Sequence, residues 1–123
     1  MQVYVPLNTE VTYEQTKPFA KAVAETMENG MPDEVVSRQT KTLRKGKVLV
    51  DWGQNDSSRS MVCAYSVRGK ERPTVSMPVA WEELDDPAGL AFEWNDALER
   101  VGREGDIFAP VLTRKQELPA TAS

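Results

Sequence analysis

The sequence has no histidine and a single cysteine, Cys63. The missing histidine excludes His-containing zinc sites, Ser-His-Asp triads and Cys-His pairs. A lone cysteine cannot form an internal disulfide, and its setting in MVCAY predicts a small buried side chain. Any bound metal must therefore be held by oxygen ligands, which favours Mg²⁺ or Mn²⁺ over zinc.

Long apolar runs are also lacking, and none approaches the roughly 20 residues that a membrane-spanning helix needs. The first residues, MQVYVPLNTE, have no basic segment followed by an apolar one, so we expect no secretory signal. We expect a protein without membrane contact in the reducing cytoplasm. A chain of 123 residues, 40% of them hydrophobic, is the size and composition of one globular domain.

The net charge of −4 conceals a segregation along the chain. Residues 38–72 carry nine Lys or Arg against three acids, a net +6, whereas residues 73–108 carry nine acids against two Arg, a net −7. Two interpretations stay open here. The basic segment is either one electropositive face suited to nucleic acid or an ordinary solvated surface.

The hydrophobic pattern mixes short strands with helices, which predicts an α/β or α+β domain. We expect strands at residues 2–6, 34–37, 47–52 and 74–79, a helical turn at 81–84, and a longer helix at about 91–103. An apolar face is predicted for that helix at Trp94, Ala97, Leu98 and Val101.

The first helix has two possible starts. Thr12 and Gln15 have the spacing of a capping box, whereas Thr16 as N-cap would put Pro18 in the first turn. Asn29-Gly30 predicts its end.

Asp51 is the candidate for chemistry, because it follows an apolar strand and precedes a polar turn. Such a position fixes the direction of a metal-binding carboxylate, although a strand-ending aspartate is more often a turn former. Gln54 and Asn55 in that turn could bind a substrate or cap the turn. Basic side chains on both sequence flanks would suit phosphoryl transfer, and they are Lys41, Arg44, Lys45, Lys47, Arg68 and Lys70.

Residues 40–86 closely resemble the ligase D polymerase family, the primase-polymerases of bacterial non-homologous end joining. The family motif of a lysine, a short β-run and D-[WY]-x-Q-N is matched by Lys47, residues 48–50, Asp51-Trp52 and Gln54-Asn55. Its Y-S-[LV]-R and P-T-V-[SA]-x-P elements are matched by residues 65–68 and 73–78. The resemblance spans residues 2–118 and implies the C-terminal subdomain of a primase-polymerase fold, a mixed sheet flanked by helices. Residues 119–123 are expected to form a disordered tail.

In this family three aspartates bind two divalent metals, Mg²⁺ or Mn²⁺, for nucleotidyl transfer. The resemblance implies that Asp51 is the third aspartate and that Arg68 engages the nucleotide triphosphate. It implies that Lys47 and Arg44 lie near the same pocket, where Gln54 and Asn55 are further candidates for nucleotide binding. The expected partners are DNA ends, NTP or dNTP, Ku and a ligase module, in the cytoplasm at the nucleoid.

Two parts of the family pattern are missing from these 123 residues: the Asp-x-Asp motif and the glycine-rich lysine loop. A single carboxylate holds Mg²⁺ weakly, so we expect the isolated chain to lack polymerase activity and to need an N-terminal half. A gene fragment, one part of a split enzyme and a start codon assigned too late all fit. The alternative functions are a non-catalytic nucleotide- or DNA-binding module and a decayed gene fragment.

Overall fold

The structure is a computed structural model that describes residues 1–120, so residues 121–123 of the predicted tail lie outside the described residues. The chain forms two compact units. The first unit comprises Met1–Asn8 and Val62–Lys115, and the second comprises Thr9–Met61 and Gln116–Ser123. Among the described residues, no helix has both the length and the apolar character to cross a membrane.

The second unit is built on helix α1, Tyr13–Gly30, and a pair of parallel strands. Strand β1 is Val35–Val36 and strand β2 is Val48–Leu49, with Val35 opposite Val48. The short helix α2, Lys41–Arg44, lies in the crossover between them. Ala24 of α1 and both residues of β1 are buried, so the core of this unit is α1 packed on β1.

Of the two predicted N-caps of α1, the structure has Thr12. The side-chain oxygen of Gln15 accepts a hydrogen bond from the Thr12 backbone N–H at 2.9 Å. Pro18 consequently lies inside the helix, where it removes one backbone hydrogen bond. The predicted end at Asn29-Gly30 is confirmed, because the helix stops at Gly30.

The first unit contains an antiparallel strand pair and two α-helices. Strand β3 is Val67–Arg68 and strand β4 is Thr74–Val75, with Val67 opposite Val75 and Arg68 opposite Thr74. Two 3₁₀ turns follow, at Trp81–Asp85 and Pro87–Leu90, before helix α3, Trp94–Glu104, and helix α4, Pro110–Thr113. Helices with small sheets fit the predicted α+β class.

Residues 2–6 do not form the predicted strand. β-propensity alone does not make a strand, which needs a partner for its ladder, and no described strand pairs with this segment. Side-chain contacts hold the segment instead. The Tyr4 ring meets the Phe108 ring edge-on at 5.3 Å, and the Asn8 amide donates to the carbonyls of Val111 and Arg114.

Two predictions of burial were wrong. Cys63 is exposed rather than buried. On α3, Trp94 and Leu98 are 64% and 67% exposed, while Ala97 and Arg100 point inward. On the inward side of this helix, Arg100 donates to both carboxylate oxygens of Glu83 and lies 5.2 Å from the centre of the Phe92 ring. A part-buried ion pair thus stands where periodicity predicts an apolar stripe.

Candidate functional site

Asp51 lies between the end of strand β2 and the turn that follows it. The N–H of Val50 donates to the Val36 carbonyl at 3.0 Å, which extends the ladder one residue beyond β2. Asp51 then precedes a 3₁₀ turn, Trp52–Gln54, closed by the Asn55 N–H donating to the Trp52 carbonyl at 3.1 Å. The half-buried carboxylate therefore leaves a hydrogen-bonded strand end on one side and a closed turn on the other. Its backbone position is fixed, as the sequence predicts.

Both oxygens of Asp51 accept a hydrogen bond from a glutamine side chain. Gln39 Nε2 donates to Oδ1 at 3.1 Å and Gln54 Nε2 donates to Oδ2 at 3.0 Å. Two amide donors fix the rotation of the carboxylate without neutralising its charge. Sequence reasoning found Gln54 but missed Gln39. Gln39 lies outside the family motif and carries no local signal, because only the parallel pairing of β1 and β2 brings it beside Asp51.

Trp52 anchors the turn to the core of the second unit. Its indole Nε1 donates to the backbone carbonyl of Ser37 at 3.0 Å, and the Lys21 ammonium lies 5.2 Å from the centre of the ring. Ser37 is itself buried and donates through its hydroxyl to Glu28, which lowers the pKa of that carboxyl group. The anchor thus connects the residue after Asp51 to helix α1.

The far end of the turn is held by its own polar groups. The Asn55 side-chain amide donates to the Trp52 carbonyl at 3.4 Å. This is the turn-capping contact that the sequence offers as the alternative to substrate binding. Asp56 pairs with Lys17 at 2.6 Å and accepts from the Ser58 hydroxyl at 2.7 Å. The bond from Lys17 is the largest cause that holds the pKa of Asp56 far below its usual range. These contacts make the turn rigid.

Cations precede Asp51 in the same unit. Arg44 is the last residue of α2 and is half-buried, whereas Lys47 is exposed just before β2. Gly46 between them has φ +70°, a left-handed conformation that suits glycine and lets the chain reverse into the strand. Within residues 1–120, neither side chain makes an ion pair, so both charges are available to an anionic ligand.

Arg68 belongs to the first unit. It is exposed at the end of β3, opposite Thr74, and within the described part of the chain its guanidinium makes no hydrogen bond or ion pair. The other five predicted site residues lie in the second unit, where the structure brings Gln54 onto Asp51. They are Arg44, Lys47, Asp51, Gln54 and Asn55.

These residues do not by themselves fit a divalent metal site. Among residues 1–120, no three carboxylate, thiol or imidazole groups come together in a way that could hold an ion. Asp51 offers two oxygens, each already bonded to a glutamine amide, whereas Mg²⁺ prefers six oxygen ligands in octahedral geometry. Asp51 is a single candidate ligand.

Comparison with known proteins identifies what this arrangement resembles. The family described as "LigD, primase-polymerase domain" matches residues 1–108. The multifunctional non-homologous end joining DNA repair protein LigD of Mycobacterium tuberculosis (strain H37Rv) is 42% identical in an alignment of 120 positions that covers 93% of this chain and 16% of that protein. The bifunctional non-homologous end joining protein LigD of Bacillus subtilis (strain 168) is 30% identical over 99% of this chain and 20% of its own length.

A solved structure agrees with the sequence matches. The polymerase domain from Mycobacterium tuberculosis ligase D in complex with DNA superposes with a TM-score of 0.83 at 40% identity, covering 90% of this chain and 39% of that one. The chain therefore spans less than half of the solved domain and about a fifth or less of the curated relatives it matches. The resemblance drawn from the motifs is confirmed.

Proposed function

The chain belongs to the LigD primase-polymerase family, and from that membership we propose that it works as part of a DNA-repair primase-polymerase in non-homologous end joining. The reaction would be template-dependent nucleotidyl transfer at DNA ends, with NTP or dNTP as substrate. Ku and a ligase module are proposed as partners from the family resemblance, and the relatives are named as multifunctional or bifunctional end-joining proteins. The proposed location is the cytoplasm, at the nucleoid.

The observation that carries this proposal is the Asp51 carboxylate held at both oxygens by Gln39 and Gln54. Nucleotidyl transfer needs oxygen ligands whose position does not change during the reaction, because the metal ions align the attacking and leaving groups. We propose that Asp51 contributes one ligand for Mg²⁺ or Mn²⁺. The remaining ligands would come from outside this set, since no three metal-ligating groups come together among residues 1–120.

The basic side chains would bind phosphate groups of the nucleotide. Arg44, Lys47 and Arg68 make no ion pair within residues 1–120, so binding a phosphate group breaks no existing pair. An arginine suits this role because its planar group donates two parallel hydrogen bonds to phosphate oxygens. Gln54 and Asn55 would then act mainly on the turn, through Asp51 and the Trp52 carbonyl.

The isolated chain is proposed to be inactive because its ligand set is incomplete. The test supplies what is missing: the chain is combined with a polypeptide that carries the Asp-x-Asp motif and the glycine-rich lysine loop of a ligase D polymerase, both as a mixture and as a covalent fusion. Metal-dependent addition of nucleotides to a recessed DNA end is measured. We expect addition in the combination and none from either part alone.

Asp51→Asn keeps the size of the side chain and removes its charge, so it should reduce that addition at least about 100-fold, since changes in the outer shell alone cost 10–100-fold. The matched control is Asp33→Asn, which removes an exposed charge elsewhere in the second unit. Full addition by Asp51→Asn would refute the site assignment, and no addition by any combination would refute the proposed function.

A second candidate function is non-catalytic binding of nucleic acid. It is favoured by the basic segment 38–72, in which Lys41, Arg44, Lys45 and Lys47 all lack an ion pair within the described residues. Such binding should weaken steeply with salt, by about 0.7–0.9 logarithmic units per phosphate contact for each tenfold rise in salt concentration.

Fluorescence anisotropy with a labelled DNA oligonucleotide measures that dependence. Lys41→Gln and Lys45→Gln together should lower the salt slope, whereas the control Lys115→Gln should not. Binding that ignores salt, or no binding at low salt, would rule this function out.

A further inference from the structure

Tyr65 has a backbone conformation that tyrosine rarely adopts. Its φ is +67°, in the left-handed region where the β-carbon of a bulky residue meets its own backbone. Asn8 is the other non-glycine residue with positive φ in the described chain, but asparagine tolerates that region far better. A strained tyrosine persists only when its surroundings hold it there, and such residues cluster at functional sites.

Tyr65 makes two hydrogen bonds of its own, and its neighbours make further ones. Its N–H donates to the Ser76 carbonyl at 2.7 Å, and the Ser76 N–H donates to the Ser66 carbonyl at 2.8 Å. Its hydroxyl donates to Oδ1 of Asp106, which also accepts the Phe108 N–H at 2.9 Å. Burial first, and then the bond to Asp106, raise the pKa of Tyr65 to about 12, which favours the protonated phenol that donates to Asp106.

Strand β3 starts at Val67, two residues after Tyr65. Val67 and Arg68 pair with Val75 and Thr74, so the corner at Tyr65 and the bonds to Ser76 set the register of the pair. Because side chains alternate between the two faces of a strand, a slip of one residue would turn Arg68 to the opposite face. A two-residue ladder is too short to resist that slip by itself.

The direction of Arg68 depends on its backbone alone. Its guanidinium makes no hydrogen bond or ion pair within residues 1–120, so no neighbouring side chain orients it. The direction of this cation therefore depends on the strand from which it projects, which begins two residues after Tyr65.

We propose that Tyr65 is a positioning residue for Arg68: its hydroxyl, bound to Asp106, holds the left-handed corner that fixes the register of β3 and so the face on which Arg68 meets a nucleoside triphosphate. This inference rests on the proposed function, which assigns the triphosphate to Arg68. It predicts that Tyr65 acts on nucleotide affinity only through Arg68.

The test is calorimetric titration of the full 123-residue chain with ATP. Arg68→Ala should weaken binding roughly tenfold, the loss expected for charge-assisted bonds to phosphate. Tyr65→Phe keeps the ring and removes the hydroxyl, and it should weaken binding about threefold to tenfold. Tyr13→Phe, an exposed tyrosine of the second unit, is the matched control and should leave binding unchanged.

The double variant separates positioning from general destabilisation. Tyr65→Phe added to Arg68→Ala should weaken binding no further, whereas a merely structural defect would weaken both backgrounds equally. Asp106→Asn keeps the acceptor oxygen and should bind like the wild type, while Asp106→Ala should match Tyr65→Phe. This pair keeps the test decisive if Tyr65→Phe folds poorly.

The outcomes distinguish the two proposals. If the wild-type chain binds no ATP, or if Arg68→Ala binds as well as the wild type, the assignment of the triphosphate to Arg68 is overturned, and this inference falls with it. If Arg68→Ala weakens binding but Tyr65→Phe and Asp106→Ala do not, or if the double variant is additive, only the positioning role of Tyr65 is overturned.

Discussion

Gln39 donates a hydrogen bond to Oδ1 of Asp51 at 3.1 Å, from twelve residues earlier in the chain. Gln54 holds the other oxygen of the same carboxylate at 3.0 Å. The candidate ligand is therefore oriented by one residue inside the family motif and by one outside it. Outer-shell donors of this kind orient a carboxylate ligand without contacting the metal.

Replacement of Gln39 should impair the combined polymerase without unfolding it. Gln39→Leu removes the donor at similar volume, so Asp51 keeps its charge but gains rotational freedom. We expect nucleotide addition in the combination assay to fall about tenfold. Gln2→Leu is the control, because within residues 1–120 the Gln2 side chain bonds only to the exposed Tyr4 hydroxyl. Wild-type rates from Gln39→Leu would contradict an orienting role.

Loss of the Trp52 anchor should lower the stability of the second unit. Trp52→Phe keeps an aromatic ring but leaves the carbonyl of the buried Ser37 without its donor, which costs about 1–3 kcal/mol. Urea unfolding followed by circular dichroism measures the change. Trp94→Phe alters an indole that is 64% exposed and should change the free energy of unfolding by less than about 0.5 kcal/mol. Equal effects of the two variants would exclude the anchor.

Replacement of Arg100 should lower the free energy of unfolding more than replacement of any other charged residue of the first unit. Arg100→Leu leaves Glu83 without its two-pronged partner and removes the cation from the Phe92 ring. Glu83 remains partly exposed to water, so we expect a loss of about 2 kcal/mol rather than the larger cost of a fully buried pair. Arg103→Leu, an exposed position on α3, is the control for urea unfolding. An unchanged free energy of unfolding in Arg100→Leu would show that apolar packing by leucine compensates for the lost ion pair.

Acid should destabilise the second unit through Asp56. Lys17 lowers the pKa of Asp56 in the folded state below the unfolded value, so this contribution to stability is present above the unfolded pKa and is lost as the pH falls through the folded one. Urea midpoints measured from about pH 6 to about pH 2 should therefore decrease, and Lys17→Met should decrease less steeply. Lys21→Met keeps the Lys17–Asp56 pair and should retain the wild-type slope. Identical slopes for the wild type and Lys17→Met would refute this origin.

Local signals in the sequence were sufficient for the elements whose causes are local. The capping spacing of Thr12 and Gln15 and the stop at Gly30 define α1, because both act within one helical turn. The apolar run ending at Asp51 likewise predicts a strand followed by a turn, and the motif around it identifies the family.

Tertiary contacts decided what local patterns could not. Residues 2–6 have the composition of a strand but form no ladder among the described residues, since a ladder requires a partner far away in sequence. Of the apolar face predicted for α3, Ala97 is buried, but Trp94, Leu98 and Val101 are exposed and Arg100, paired with Glu83, is buried instead. Neither outcome follows from periodicity.

The sequence by itself identified the family and the place of Asp51 between an apolar strand and a polar turn. Only the tertiary structure brought Gln39 to its carboxylate and Tyr65 into a left-handed corner held by Asp106. The physical reason is separation along the chain. Motif spacing specifies residues that act within a few positions of each other, whereas a hydrogen bond across 12 or 41 residues exists only once packing has made its donor and acceptor neighbours.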